Sequence, residues 1–157
     1  MKKILWKETL GLWAFSFTKI RAIFFVRPRV IHVSKESCEI MIPLNRKTKN
    51  HLNSMYFGVL AIGADCAGGL IAMNAIRQSG KNVSLAFKDF KADFLKRPEA
   101  DTHFICKDGQ KTLDQIEETL RTGERVNRTV RIIATTPSLS GDEPMAIFDL
   151  TLSLKAK

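Results

Sequence analysis

Cysteine is scarce in this sequence: Cys38, Cys66 and Cys106 are the only three in 157 residues, and none lies close to another. So sparse and odd a set builds no disulfide framework, and no pair has zinc-ligand spacing. A reducing, cytosolic setting fits such a chain best. The sequence also lacks a glycine-rich phosphate loop, and its carboxylates and histidines show no metal-ligand spacing. Neither a metal nor a cofactor is therefore expected. Acidic residues are few, 16 against 25 Lys and Arg, for a net charge of +9. The imbalance is densest in residues 19–49, with eight Lys or Arg against two Glu. That excess favours an anionic partner, whether nucleic acid, anionic lipid or a phosphorylated small molecule. Nucleic acid fits least well, because no aromatics are interleaved with the cations of residues 45–49, as a single-strand binder requires.

Long uncharged runs are missing as well. The two best, Asn50 to Ala64 and Cys66 to Ile76, are each shorter than the ~20 residues of a membrane span. Asp65 falls between them, where a charge is costly in lipid. No transmembrane segment is expected. At the N-terminus Lys7 and Glu8 interrupt the apolar residues and no small-residue cleavage site follows, so no signal peptide is expected. There is no internal repeat, and the length suits one domain over residues 1–157 with a core of useful size.

What is present is organised around Asn50–Gly80. Small residues crowd this stretch, including Gly58, Gly63, Gly68 and Gly69, and apolar residues fall on every side of a helical period. This predicts a helix over residues 54–79, buried nearly all round, with Asn53 or Ser54 as cap and Gly80 at its end. Each glycine costs a helix ~1 kcal/mol against alanine, so four of them imply that something packs very close. A sheet curled around the helix is the simplest candidate.

The rest of the chain supplies that sheet. Residues 1–26 read as a flanking amphipathic helix, with Leu5, Leu12, Trp13 and Ile20 at helical spacings. Its Trp, Phe and Lys content makes membrane-surface binding the sharper alternative to a lid on the core. Arg27-Pro28 ends it. Val30–Val33 and Ile40–Leu44 are short β-rich runs, and NRKTKN (45–50) reads as a loop. From Val83, Leu85 and Phe87 to Phe90, Ala92 and Phe94 the alternation flips parity at Lys88-Asp89, the mark of a β-bulge in one long strand. A strand over 102–107, an amphipathic helix over 111–122, a strand from Val126, a tight loop at 137–144 and an alternating strand from Ala146 to Leu154 complete the order. The reading is α+β: about six antiparallel strands wrapped around one long helix, since most consecutive strands have links too short for crossovers.

Asp65 is the first candidate for chemistry. A carboxylate in a nearly apolar helix costs several kcal/mol unless paired or used, and its pKa rises toward a general-base range. The alternatives are a solvated dimer seam or a basic partner. The helix start offers the unpaired amides of Phe57 and Gly58, aimed outward and able to hold a developing oxyanion. Cys66 and His51 form a formal nucleophile–base pair, though Cys66 among small apolar residues reads as packing.

These residues resemble a known pattern. In the hotdog-fold thioesterases of the phenylacetyl-CoA thioesterase type, and in related uncharacterised hotdog proteins, an Asn is followed six residues later by His-Gly-Gly at the helix start, with Ala-Asp ending seven residues after the second Gly. Here Asn50 matches the Asn, Tyr56-Phe57-Gly58 stands in place of His-Gly-Gly, and Ala64-Asp65 falls at the expected offset. Phe94 to Pro98, FLKRP, is similar to the segment after the family's helix. The resemblance implies a hotdog fold, a homodimer (or a tetramer of such dimers) and an interface active site acting on an acyl-CoA thioester. It further implies Asp65 as general base or nucleophile, the Phe57 amide of the other subunit as oxyanion donor, and Asn50 positioning substrate or water. Tyr56 would line the substrate site, and Lys88, Lys91, Lys96 and Arg97 would meet the coenzyme A phosphates. Tyr56 departs from the pattern: a phenol is no proton carrier near neutral pH. That departure supports a second reading, a non-hydrolytic acyl-CoA or fatty-acyl binding protein of the same fold.

Overall fold

The computed structural model describes residues 2–157. Two N-terminal helices, α1 (Trp6–Lys19) and α2 (Arg21–Val26), precede strands β1 (Arg29–Val33) and β2 (Cys38–Ile42). The long helix α3 (Phe57–Ser79) follows, then β3 (Val83–Phe94), β4 (Thr102–Cys106), helix α4 (Gly109–Thr122), β5 (Val126–Thr135), the short helix α5 (Pro137–Ser140) and β6 (Pro144–Ala156). The six strands form one sheet in the order β1-β2-β4-β5-β6-β3, antiparallel at every pairing. The sheet curls around α3, which packs against β2, β4, β5, β6 and β3. This is the hotdog arrangement.

The small residues of α3 are where the sheet comes closest. A Cβ on Gly63 would lie 2.3 Å from two ring carbons of Phe104, whose side chain is wholly buried on β4. The inner face of β6 supplies Phe148, Leu150, Leu152 and Leu154 to the same core. Helix α3 is long and apolar enough to cross a membrane, but ten of its residues are buried inside this fold. Amphipathic α4 closes one end of the wrap, where Ile116 packs with Ala75, Val83 and Leu154.

The two edges of the sheet differ. Edge β1 is covered by α1: Leu5 N–H donates to the Val30 carbonyl at 2.8 Å, and Val30 N–H donates to Thr9 Oγ1 at 2.9 Å. Edge β3 is the longest exposed strand margin in the molecule, 12 residues with a neighbour, β6, on one side only. Its bulge falls where the sequence parity flips, between Phe87 and Asp89. Phe87 and Phe90 therefore both face inward, although three positions apart.

Three local expectations are corrected. Helix α3 begins at Phe57, and neither Asn53 nor Ser54 caps it. Asn53 instead takes a left-handed φ of 61°, while Met55 bridges Lys49 and Tyr56 N–H donates to the Thr48 carbonyl. These loop bonds compete with the first helical turn and win. The N-terminal helix breaks in two at Ile20, whose φ of −138° ends α1, and Ile20 turns to solvent instead of the core. The 137–144 loop opens with the helical turn α5, started by Pro137 at its first position.

Candidate functional site

Asp65 stands on the face of α3 that looks toward the inner side of β3. Two adjoining cavities, about 590 and 320 Å³, share Asp65 and Phe87 as lining residues. Together they make one apolar trough along α3. Leu12, Phe15 and Ile20 of the N-terminal helices close one end, and Ala61, Phe90 and Leu150 line the other. Asp65 is half-buried, and among the described residues its carboxylate has no hydrogen-bond or ion-pair partner. Burial raises its pKa above the ordinary carboxylate value. A desolvated carboxylate with no partner in an apolar channel is equipped to take a proton from water or to attack a polarised carbonyl.

The helix start lies at the far end of the same face. The Phe57 and Gly58 amides have no acceptor among the described residues, while those of Val59 and Leu60 bond the Tyr56 carbonyl. Tyr56 lies back over this turn, so that a Cβ on Gly58 would come within 2.6 Å of its ring. Aromatic rings then continue from Tyr56 to Phe57 (4.8 Å between centroids), Phe94 (6.3 Å) and Phe148 (6.0 Å). Asn50 organises the preceding loop: its side-chain oxygen accepts from Leu52 N–H at 2.9 Å and from Ser54 N–H at 3.3 Å. Within one chain the Phe57 amide and Asp65 are not brought together. They stand eight residues apart on one helix, ~12 Å along its axis, too far to act on one carbonyl.

Of the four cations named for the coenzyme A phosphates, only Lys88, projecting at the bulge, has no ion pair among the described residues. Lys91 pairs with Asp93 at 3.5 Å and lies opposite Asp149 in register, on the sheet face turned away from Asp65. Lys96 pairs with Glu143, and Arg97 with Glu99 at 4.0 Å. Cys66 is buried in the core, where burial pushes its thiol well up, and His51 is exposed in the loop. No thiolate nucleophile is available there.

The structure assembles two groupings that sequence spacing concealed. Cys38 and Cys106 face each other across β2 and β4, both fully buried. Burial drives both thiols up, Cys106 to about 11. On the outer sheet face, buried Glu39 accepts from Lys2 Nζ at 2.8 Å and sits 2.7 Å from His103 Nδ1. Burial alone would raise its pKa, but these two partners outweigh it and hold the carboxylate below its usual range. Nothing local in the sequence signals this network, whose members come from three distant segments. Among the described residues no group of His, Cys, Asp and Glu is placed to hold a metal ion.

Comparison with known proteins places this geometry. The family model described as "Domain of unknown function (DUF4442)" matches residues 12–138. No curated protein matches the sequence. Among solved structures, a Pseudomonas aeruginosa protein of unknown function described as a probable thioesterase superposes with a TM-score of 0.79 at 17% identity, covering 95% of this chain and 96% of its own. A protein of unknown function from Chlorobaculum tepidum gives 0.83 at 10% identity and covers 99% of both chains. A Haemophilus influenzae thioesterase gives 0.65 at 12% identity, covering 90% of this chain and 87% of its own. At these identities the likeness is one of fold.

Proposed function

Because this chain belongs to the DUF4442 family and folds as a hotdog, we propose that it is a homodimeric thioesterase that hydrolyses an acyl-CoA thioester. The observation that carries the reading is Asp65, an unpartnered, half-buried carboxylate on the wall of an apolar trough. Two copies joined along their exposed β3 edges would continue one sheet through both. The helix start of one copy can then approach Asp65 of the other, which the ~12 Å separation within a chain requires. In that arrangement the Phe57 amide polarises the thioester carbonyl. Asp65 activates water or attacks directly, Asn50 positions water or substrate, and the trough holds the acyl chain. Tyr56 borders the acyl site, and Lys88 is the cation best placed to meet a coenzyme A phosphate.

The test is free-thiol release from a panel of short, long and aryl acyl-CoAs. Turnover with a preference for apolar acyl groups is the expected result. Cys66→Ala should retain it, because the buried thiol takes no part; loss of turnover in a folded Cys66→Ala protein would move the chemistry to that sulfur. The second reading, acyl-CoA binding without hydrolysis, is favoured by the Tyr56 ring lying across the helix start. It predicts saturable acyl-CoA binding by calorimetry with no thiol released from any member of the panel.

A further inference from the structure

The N-terminal helices carry apolar surface that the fold does not use. Along α1 the inward side is Thr9, Leu12 and Ser16, yet Trp6 (51% exposed), Leu10 (57%) and Phe17 (46%) form a second stripe facing solvent. On α2 Phe25 is 54% exposed. The Phe17 and Phe24 rings meet edge to face at 5.0 Å between centroids, joining the two helices, and exposed apolar side chains gathered in this way mark an interaction site.

Its charge identifies the partner. From Lys2 to Lys35 eight Lys or Arg stand against one acid, Glu8. Two of these cations, Arg21 and Arg27, and Lys47 from the loop after β2 are held against the aromatic rings. The Arg21 guanidinium sits 4.3 Å from the Phe17 centroid, Arg27 sits 3.8 Å from Phe24, and Lys47 Nζ sits 5.6 Å from Phe25. A protein partner complementary to this patch would have to offer acids and an apolar groove together. A bilayer offers both without a matched shape: anionic headgroups for the cations and acyl chains for the rings. Flat aromatics flanked by Lys and Arg are the composition that settles at that boundary.

We propose that the α1–α2 face docks the protein on an anionic lipid bilayer, with Trp6, Leu10, Phe17 and Phe25 entering the headgroup–acyl boundary and Arg21, Arg27 and Lys47 meeting the headgroups. The docking does not depend on the thioesterase reading. Ile20, at the tip between the helices, is exposed and also lines the trough. The trough mouth thus lies beside the docking face.

Both tryptophans of the chain are on α1, so the unmodified protein reports its own insertion. With phosphatidylcholine vesicles containing about one third phosphatidylglycerol, the full chain should float with the lipid. Its tryptophan emission should shift to the blue and be quenched by brominated acyl chains. Pure phosphatidylcholine should bind it at least about tenfold more weakly. Leu10→Ser/Phe17→Ser, checked for folding by circular dichroism, should lose at least about tenfold in binding to the anionic vesicles, while Lys155→Glu on β6 should not. No flotation, or no quenching in the unmodified protein, overturns the proposal. So does undiminished binding by the double variant, which would reduce the effect to the net charge. Failure to float, together with self-association that the double variant abolishes, would assign the face to contact between copies of the chain and also overturn it.

Discussion

Asp65→Asn is expected to lower kcat/KM for thioester hydrolysis by about 10²–10⁴-fold, the usual contribution of a positioned general base, without unfolding the protein. Asparagine has nearly the same volume and needs no ionic partner, and Asp65 has none to lose among the described residues. The stability change has a definite sign. Burial raises the folded-state pKa of Asp65 above its unfolded value of 3.8. The folded protein therefore holds this proton more tightly than the unfolded chain does. Below pH 3.8 the group costs nothing; as pH rises through the folded pKa the charged form penalises folding. The variant should consequently be more stable than the native protein at neutral pH, and the difference should vanish in acid. Thiol release by the native protein should fall on acidification with an apparent pKa above that of an ordinary aspartate. Thiol release and thermal melts across pH check both. A variant that keeps native turnover would remove Asp65 from the mechanism. One that loses turnover while melting lower at neutral pH would show a structural carboxylate with a partner that the geometry does not contain.

Gly63→Ala is expected to destabilise the protein by about 1–3 kcal/mol, the range for overfilling a packed core, or about 2–4 °C in Tm for each kcal/mol in a chain of this size. Two effects oppose each other. Alanine favours the helix by ~1 kcal/mol over glycine. Against that, the new methyl would lie 2.3 Å from the Phe104 ring, and that ring is wholly buried between the helix and the sheet. Displacing it by more than an ångström disturbs β4 and its neighbours together, so the clash wins. Gly11→Ala supplies the contrast: Gly11 is exposed on α1 with nothing within 4 Å of a new Cβ, and there the propensity gain should appear as a small stabilisation. Gly63→Ala/Phe104→Leu should recover part of the loss, since contacting residues couple in a double-mutant cycle. Equal destabilisation by the single and double variants would show that the close approach is not the cause.

Features set by local physics are legible in the sequence. The small residues of α3 announced a close-packed helix, the parity flip at Lys88-Asp89 announced the bulge, and strict alternation in β6 announced one core face. Asp65 stood out as the only charge within an apolar run. What stayed hidden depends on distant pairings. That β3 lies beside β6, and so becomes the free edge, follows from closing the sheet around α3 and not from any local pattern. The start of α3 is not legible locally, because hydrogen bonds to Thr48 and Pro98 hold Met55 and Tyr56 out of the helix. No proline or glycine marks the break at Ile20. The cations of residues 88–97 looked equivalent in sequence, but the pleat sends Lys91 to the outer face and nearby acids engage Lys96 and Arg97. That Asp65 has no partner among the described residues is likewise beyond the sequence, because any strand could have supplied a buried one.

The bulge also bears on which changes of length this fold can absorb. Across β3 and β6, Phe87 faces Leu152 and Asp89 faces Thr151, so Lys88 is the one residue of the pair that faces nothing. Removing it would leave every other partnership, and the inward direction of Phe87, Phe90 and Phe94, as they are. Deleting any residue well inside either flanking run would instead turn a row of phenylalanines outward. The longest strand margin in the molecule therefore contains one position where evolution can gain or lose a residue without re-registering the sheet. That position is also where Lys88 stands, the one of the four cations of residues 88–97 without an ion pair among the described residues.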